Sequence, residues 1–212
     1  QLLDAARAAR DLSDLARCAE LARAALARGG GSAAAVDLAE ALEWLGATDE
    51  AMGALEQTDG SMDDGTRARS LACGIRLHAM GQLEEARTLA GHAEEIDDAS
   101  WRGFVEAQWA TSLVLEGHLD EARPLVDRLA GHADPRVRVR ALSAANLVLL
   151  ADGRILDARA TAESAVADAL ALRDEIPRGV IWAFSAVVLD LLAAGDLDAL
   201  DRVLELATAD VT

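Results

Sequence analysis

Leu77-His78-Ala79-Met80-Gly81-Gln82-Leu83-Glu84-Glu85-Ala86 reads as the end of one helix, a tight turn and the start of another. Gly81 can take the left-handed backbone that terminates a helix, and Glu84 and Glu85 suit the positive end of the next. The stretch recurs along the chain. Leu42-Glu43-Trp44-Leu45-Gly46 leads to Ala51, Leu113-Val114-Leu115-Glu116-Gly117 to Ala122, Leu149-Leu150-Ala151-Asp152-Gly153 to Ala158, and Leu191-Leu192-Ala193-Ala194-Gly195 to Leu200. The glycines are 35, 36, 36 and 42 residues apart, a period expected of stacked helical hairpins. The Leu before each turn and the small Ala that follows four of the five fall where two antiparallel helices approach most closely.

Between these hairpins the punctuation changes to Gly29-Gly30-Gly31-Ser32, Asp59-Gly60-Ser61, Asp97-Asp98-Ala99-Ser100, Ala133-Asp134-Pro135 and Ile176-Pro177. Asp and Ser cap helix starts, and Pro is tolerated in a first helical turn. The punctuation predicts helices at 12–28, 33–45, 48–58, 64–80, 83–96, 100–116, 119–131, 135–152, 155–173, 178–194 and 197–208, the first being the second half of a truncated hairpin. Residues 1–212 then form a single all-α repeat domain without a linker, cut from something longer.

Composition agrees with helices. Ala (48) and Leu (33) dominate, aromatics are 3% and Lys is absent, which leaves little material for β-strands. A net charge of −17 repels phosphate backbones, so direct contact with nucleic acid is not expected. No long stretch is both apolar and uncharged, and the N-terminus lacks a basic-then-apolar leader, so a cytoplasmic protein without a membrane span is expected.

A hairpin with G-x-L-x-E-A at its turn, as in Gly81-Gln82-Leu83-Glu84-Glu85-Ala86 and Gly117-His118-Leu119-Asp120-Glu121-Ala122, resembles the tetratricopeptide repeat (TPR). Small residues at Ala39, Gly74 and Ala110, seven before the glycine, strengthen the likeness; Asn146 and Val188 in that column and the longer spacing depart from it. The resemblance implies a right-handed α-solenoid of about five TPR-like hairpins plus one leading helix. Long arrays of this composition also resemble the sensor region of large LuxR-type transcriptional regulators of the maltose-activator class. In that family a nucleotide-binding ATPase module precedes the repeats and a helix-turn-helix follows them. The implied function is a non-catalytic, effector- or partner-binding sensor domain; the alternative is a TPR-like scaffold for protein–protein interaction.

No catalytic constellation emerges from the residues. Without Lys there is no phosphate-binding G-x-x-x-x-G-K-[ST] loop. His78, His92, His118 and His132 are dispersed, with no pair spaced to share one helical face, so no metal or cofactor is expected. Cys18 and Cys73 lie in apolar helical stretches and read as core thiols. The regular Arg87, Arg123 and Arg159 read as surface residues, with ion pairs expected for Arg87 to Glu84 and Arg123 to Asp120.

In TPR-like stacks the first helix of each hairpin lines the concave groove. Counting back thirteen, ten, nine and six residues from each glycine gives a largely apolar lining. It includes Asp37 and Glu40, with Phe104, Gln108, Thr111, Arg140, Ser143, Trp182 and Ser185 as candidate ligand or partner contacts. A small-molecule effector or a protein or peptide segment would suit such a groove. Trp101, Phe104, Trp109, Trp182 and Phe184 could equally be core packing. Homo-oligomerisation is a further expectation, because the truncated first hairpin would leave an apolar helix face to cover.

Overall fold

The computed structural model describes residues 1–60, 62–172 and 177–202, apart from the side chains of 177–179 and Trp182. Among the described residues these α-helices follow one another: α1 (Leu2–Asp11), α2 (Leu15–Leu26), α3 (Gly31–Trp44), α4 (Thr48–Leu55), α5 (Asp64–Ala79), α6 (Leu83–Gly91), α7 (Ala99–Leu115), α8 (Leu119–Leu129), α9 (Pro135–Ala151), α10 (Ile155–Ala171) and α11 (Pro177–Ala194). A 3-10 turn, His92–Glu95, extends α6, and a further helical stretch covers 197–202. No strand occurs among the described residues. The protein is all-α.

The contacts divide the chain into two units, Gln1–Ser112 and Leu113–Thr212, with the division inside α7. In the first, α1 packs on α2, α3 on α4 and α5 on α6, while the first helices α1, α3 and α5 also touch in succession. In the second, α9 packs on α10 and α11, and α10 on α11. Consecutive packing of this kind is compatible with a helical repeat fold.

Each turn glycine does what its chemistry allows. Gly46, Gly81, Gly117, Gly153 and Gly195 all have positive φ. In four of these turns the amide after the glycine donates to the carbonyl of the Leu four residues before it, as in Ala47 to Leu42 (2.9 Å) and Arg154 to Leu149 (2.9 Å). That bond closes the last helical turn and explains why the chain reverses at once.

The single leading helix expected at 12–28 is instead a complete hairpin of α1 and α2. Ser13 takes the glycine's role at φ 60°, and the Asp14 amide donates to the Ala9 carbonyl at 2.9 Å. Leu15 stands in the column of Leu83, and Cys18 in the column of the small Ala; Cys18 is fully buried there, as are Ala51, Ala86, Ala122 and Ala158. Serine disguised the turn because a left-handed backbone is uncommon for non-glycine residues. The truncated hairpin invoked for self-association is therefore absent, and with it that argument for homo-oligomerisation.

The small columns leave no spare room. A methyl on Gly74 would sit 2.9 Å from Leu89 Cδ1 of the partner helix. Replacing fully buried Ala86 by Leu is expected to cost about 1–3 kcal/mol by overpacking. Chemical denaturation, with exposed Glu85→Leu as the comparison, measures it.

The inter-hairpin signals also work locally. Asp63 accepts from the Thr66 amide (2.9 Å), Asp98 from those of Ser100 (2.8 Å) and Trp101 (3.0 Å), and Asp134 from that of Arg136 (2.8 Å) before Pro135. Helix α6 stops short of the expected 96 because His92–Glu95 tightens into the 3-10 turn, and Arg102 donates to the Ile96 carbonyl (2.8 Å) just beyond it.

Candidate functional site

Beyond Ser32, helix α3 is apolar except for acids three residues apart, Asp37, Glu40 and Glu43, which lie on one side. Helices α1 and α5 flank that side and bring arginines to it. Asp37 is fully buried and accepts from Arg7 Nε (3.2 Å), Arg10 Nη1 (3.2 Å) and Arg69 Nη2. Glu40 takes Arg69 Nε (3.2 Å) and Nη2 (2.6 Å), with Arg10 Nη1 at 3.7 Å. Glu43 holds Arg76 in a two-point fork, Nε at 2.5 Å and Nη2 at 2.7 Å. The far side of Arg76 reaches α7, where Nη1 donates to Gln108 Oε1 (3.5 Å) and Gln108 Nε2 donates to Ser112 Oγ (3.3 Å).

The result is a continuous polar ladder across the first helices of four hairpins. Seven charged groups, four arginines and three carboxylates, sit in a recessed strip of a chain that is otherwise strongly acidic. Burial opposes ionisation of Glu40, but Arg69, with help from Arg76 and Arg10, outweighs it and holds the carboxyl below the usual glutamate range. Burial also works against the charge on Arg69 and Arg76, and their carboxylate partners more than restore it. These guanidiniums stay protonated at every pH at which the chain folds.

Both thiols border the ladder. Cys73 Sγ lies 3.4 Å from Glu43 Oε2, and burial, reinforced by Glu43, pushes its ionisation well above the usual thiol range against the pull of Arg76. Cys18 Sγ faces the Asp37 carbonyl at 4.0 Å. Both are buried, as expected of core thiols, and a thiol held in its neutral form is a poor nucleophile.

The residues expected to meet a ligand fare differently. Gln108 is buried in the ladder. Phe104, one turn earlier on α7, is half-buried and meets Trp101 edge-on, ring centres 5.9 Å apart. The hydroxyls of Thr111, Ser143 and Ser185 donate to their own helices, at Ala107 (3.0 Å), Val139 (3.1 Å) and Ile181 (2.8 Å). Arg140 is buried on α9. Phe104, Gln108 and Thr111 belong to the first unit, Arg140, Ser143 and Ser185 to the second; the Trp182 side chain lies outside the described residues. Trp109 is buried beneath the Arg87 guanidinium, 5.5 Å from its ring centre.

Of the surface pairs expected, Arg87 does meet Glu84, at 3.6 Å. Arg123 does not use Asp120; it forks onto Asp152 at the end of α9, at 2.7 and 2.5 Å, because two parallel donors fit a carboxylate across two elements better than a neighbour on the same helix.

The groove positions counted from the glycines include Asp37, Glu40 and Gln108 but miss Arg7, Arg10, Glu43, Arg69 and Arg76. Those arginines approach from the flanks of their helices on long stems, so a face defined by one register omits them. The readable signal was acids at three-residue spacing in an apolar helix, with arginines seven apart on the helix stacked beside it.

On the second helices a different surface opens. A cleft of about 460 Å³ between α2 and α4, floored by Leu38 and Leu42 of α3, is lined also by Leu26, Ala54 and Gln57, with Arg23 paired to Glu50 at 3.1 Å.

In the second unit, Asn146 occupies the small-residue column. Its Nδ2 donates to the Ala158 carbonyl (3.0 Å) and to both carboxylate oxygens of Asp190 (2.8 and 2.9 Å), tying α9 to α10 and α11. This departure from the repeat pattern is a buried polar staple. Burial raises the pKa of Asp190, opposed by Asn146 and Arg159.

Among the described residues no group of His, Cys, Asp and Glu could hold a metal ion, and no helix is long and apolar enough to cross a membrane. No family model, no curated protein and no solved structure matches the chain.

Proposed function

We propose that the chain is a non-catalytic binding module, the effector- or partner-sensing TPR-like region of a LuxR-type transcriptional regulator. The observation that carries the reading is the ladder. Arg69 and Arg76 are recessed between stacked first helices yet remain partly open to solvent, fixed in orientation by Asp37, Glu40 and Glu43. Polar groups held this way suit recognition, since little side-chain freedom remains to be lost on binding. The period of the turns and the G-x-L-x-E-A motif support the TPR likeness, and the composition of the array supports the regulator.

Sensing would act by population shift. An effector that binds one arrangement of the stacked hairpins better than another moves the equilibrium by the ratio of its two affinities. A scaffold reading draws on the same face, because its polar groups come from α1, α3, α5 and α7, and an extended protein segment could touch all four.

Thermal melting of the chain against a panel of small polar metabolites tests the proposal. A true effector at a hundred times its Kd stabilises by about 2.7 kcal/mol, a rise of several degrees in Tm for a chain this size. That rise is expected to shrink in Arg7→Ala, where Arg10 and Arg69 still satisfy Asp37 and the fold survives. Retention of a protein partner without response to any small molecule would favour the scaffold, and turnover of a compound would overturn both. For the regulator, the coding region either side is expected to encode a nucleotide-binding module upstream and a basic helix-turn-helix downstream.

A further inference from the structure

We propose that the turn edge of the Gln1–Ser112 unit is a docking surface for a basic amphipathic helix, separate from the ladder and independent of the sensor reading. Three successive first helices end on a large apolar residue that points to solvent: Leu12 (82% exposed) closes α1, Leu45 (49%) closes α3 and Met80 (73%) closes α5. Each stands one residue before the positive-φ turn residue, at Ser13, Gly46 and Gly81. The place relative to the turn is the same in all three, although Met80 leaves α5 in extended backbone (ψ 96°) where Leu12 and Leu45 keep ψ near zero (6° and −2°), and contacts of α1 with α3 and of α3 with α5 put the three helix ends on one edge. Trp44, 41% exposed, adjoins it.

Helix geometry does not demand apolar residues there. The equivalent residues before Gly117, Gly153 and Gly195 are Glu116, Asp152 and Ala194. Leucines such as Leu115 and Leu156 are exposed in the other unit too, but not at this position of the turn; recurrence at one position in three successive hairpins is what marks a surface meant to be covered.

The flanks of the stripe name the occupant. The second helices begin just past the turns and present exposed acids there: Asp14 capping α2, Asp49 and Glu50 opening α4, Glu84 and Glu85 opening α6, with Asp11 before the first turn. Against these, Arg17 pairs with Glu20 (2.8 Å), Arg10 with Asp11 (3.3 Å), Arg23 with Glu50 (3.1 Å) and Arg87 with Glu84 while lying over Trp109, which leaves Asp14, Asp49 and Glu85 as the acids of the border that no arginine among the described residues pairs with. An apolar stripe with an acidic border complements a helix with an apolar face bordered by Lys or Arg. The spacing fits too. Packed helices stand about 8–10 Å apart, and a partner helix advances about 10.5 Å in seven residues. One apolar side chain per heptad would meet one rung per hairpin.

The test uses the full chain and a synthetic amphipathic helix of Leu and Lys in heptad register, with a Leu/Glu counterpart, in fluorescence anisotropy across a salt series. The Leu/Lys peptide is expected to bind and the Leu/Glu peptide to fail. Leu12→Ser/Met80→Ser, whose side chains are exposed and whose fold circular dichroism confirms, is expected to weaken binding by at least about tenfold. Asp49→Asn/Glu85→Gln is expected to weaken it and flatten its salt dependence. Equal binding to Leu12→Ser/Met80→Ser would reveal adsorption by charge alone and overturn the proposal. So would failure of the Leu/Lys peptide to bind, or sedimentation showing that a second copy of the chain occupies the edge.

Discussion

Asp37→Asn is expected to destabilise the Gln1–Ser112 unit by about 3–5 kcal/mol, the usual cost of stranding buried charge. Three arginines from two helices on either side of α3 converge on this fully buried carboxylate. The amide keeps the shape and removes the charge, leaving Arg69 with Glu40 alone and Arg10 with only the distant Glu40 and the exposed Asp11. Urea unfolding of wild type and variant measures the loss. A cost below about 1 kcal/mol would place the ladder with exposed surface pairs and deprive the binding proposal of its rigid support. Combining Asp37→Asn with Arg7→Met, which leaves Arg69 on Glu40, separates the pair from the cost of the orphan: the double variant is expected to recover part of the loss.

The ladder also sets a direction with pH. The Glu40 carboxyl is held below the ordinary glutamate value, so its contribution is complete above about pH 4.3 and is lost as pH falls through its lowered native value. In the second unit the sign reverses. Asp190, 1% exposed, titrates above its ordinary value because burial disfavours its charge. Stability from the neutral form is complete below about pH 3.9 and is lost as pH rises through the raised native value.

Asn146→Ala is therefore expected to cost about 3 kcal/mol at neutral pH, since it removes both the donor to a buried carboxylate and the donor to the Ala158 carbonyl. The cost is expected to shrink as pH falls and Asp190 becomes neutral, because a carboxylic acid needs that donor less. Arg159 and Glu163 are the charged groups on α10 that act on Asp190, and their opposite signs leave Asn146 as its main polar support. Denaturation of wild type, Asn146→Ala and Asp190→Asn between pH 4 and 7 checks the sign. Asp190→Asn is expected to gain on wild type as pH rises; a constant difference would show that Asp190 does not titrate with the fold.

Much of the chain's organisation is legible in its sequence because turn chemistry is local. A glycine that must adopt positive φ, a Leu four residues before it and, in four of five cases, an Ala five after it interact within one hairpin, so five of the six turns could be read directly. The same holds for the caps at Asp63, Asp98 and Asp134, whose partners are two or three residues away. Ser13 escaped because one residue type stood for another in a backbone conformation that composition does not reveal.

Which carboxylate meets which arginine was settled only by packing. Asp37 and Arg69 are 32 residues apart, Glu43 and Arg76 33, Asn146 and Asp190 44. Each pairing depends on the rotation of one helix against the next and on how far a long side chain reaches from its flank. Burial then gives those pairs their strength, since the same ions in water would contribute little. The sequence by itself determined the hairpins, through contacts a few residues long; the tertiary structure decided the ladder, the staple and the exposed edge, because these depend on side chains about thirty residues apart meeting, or failing to meet, across stacked helices.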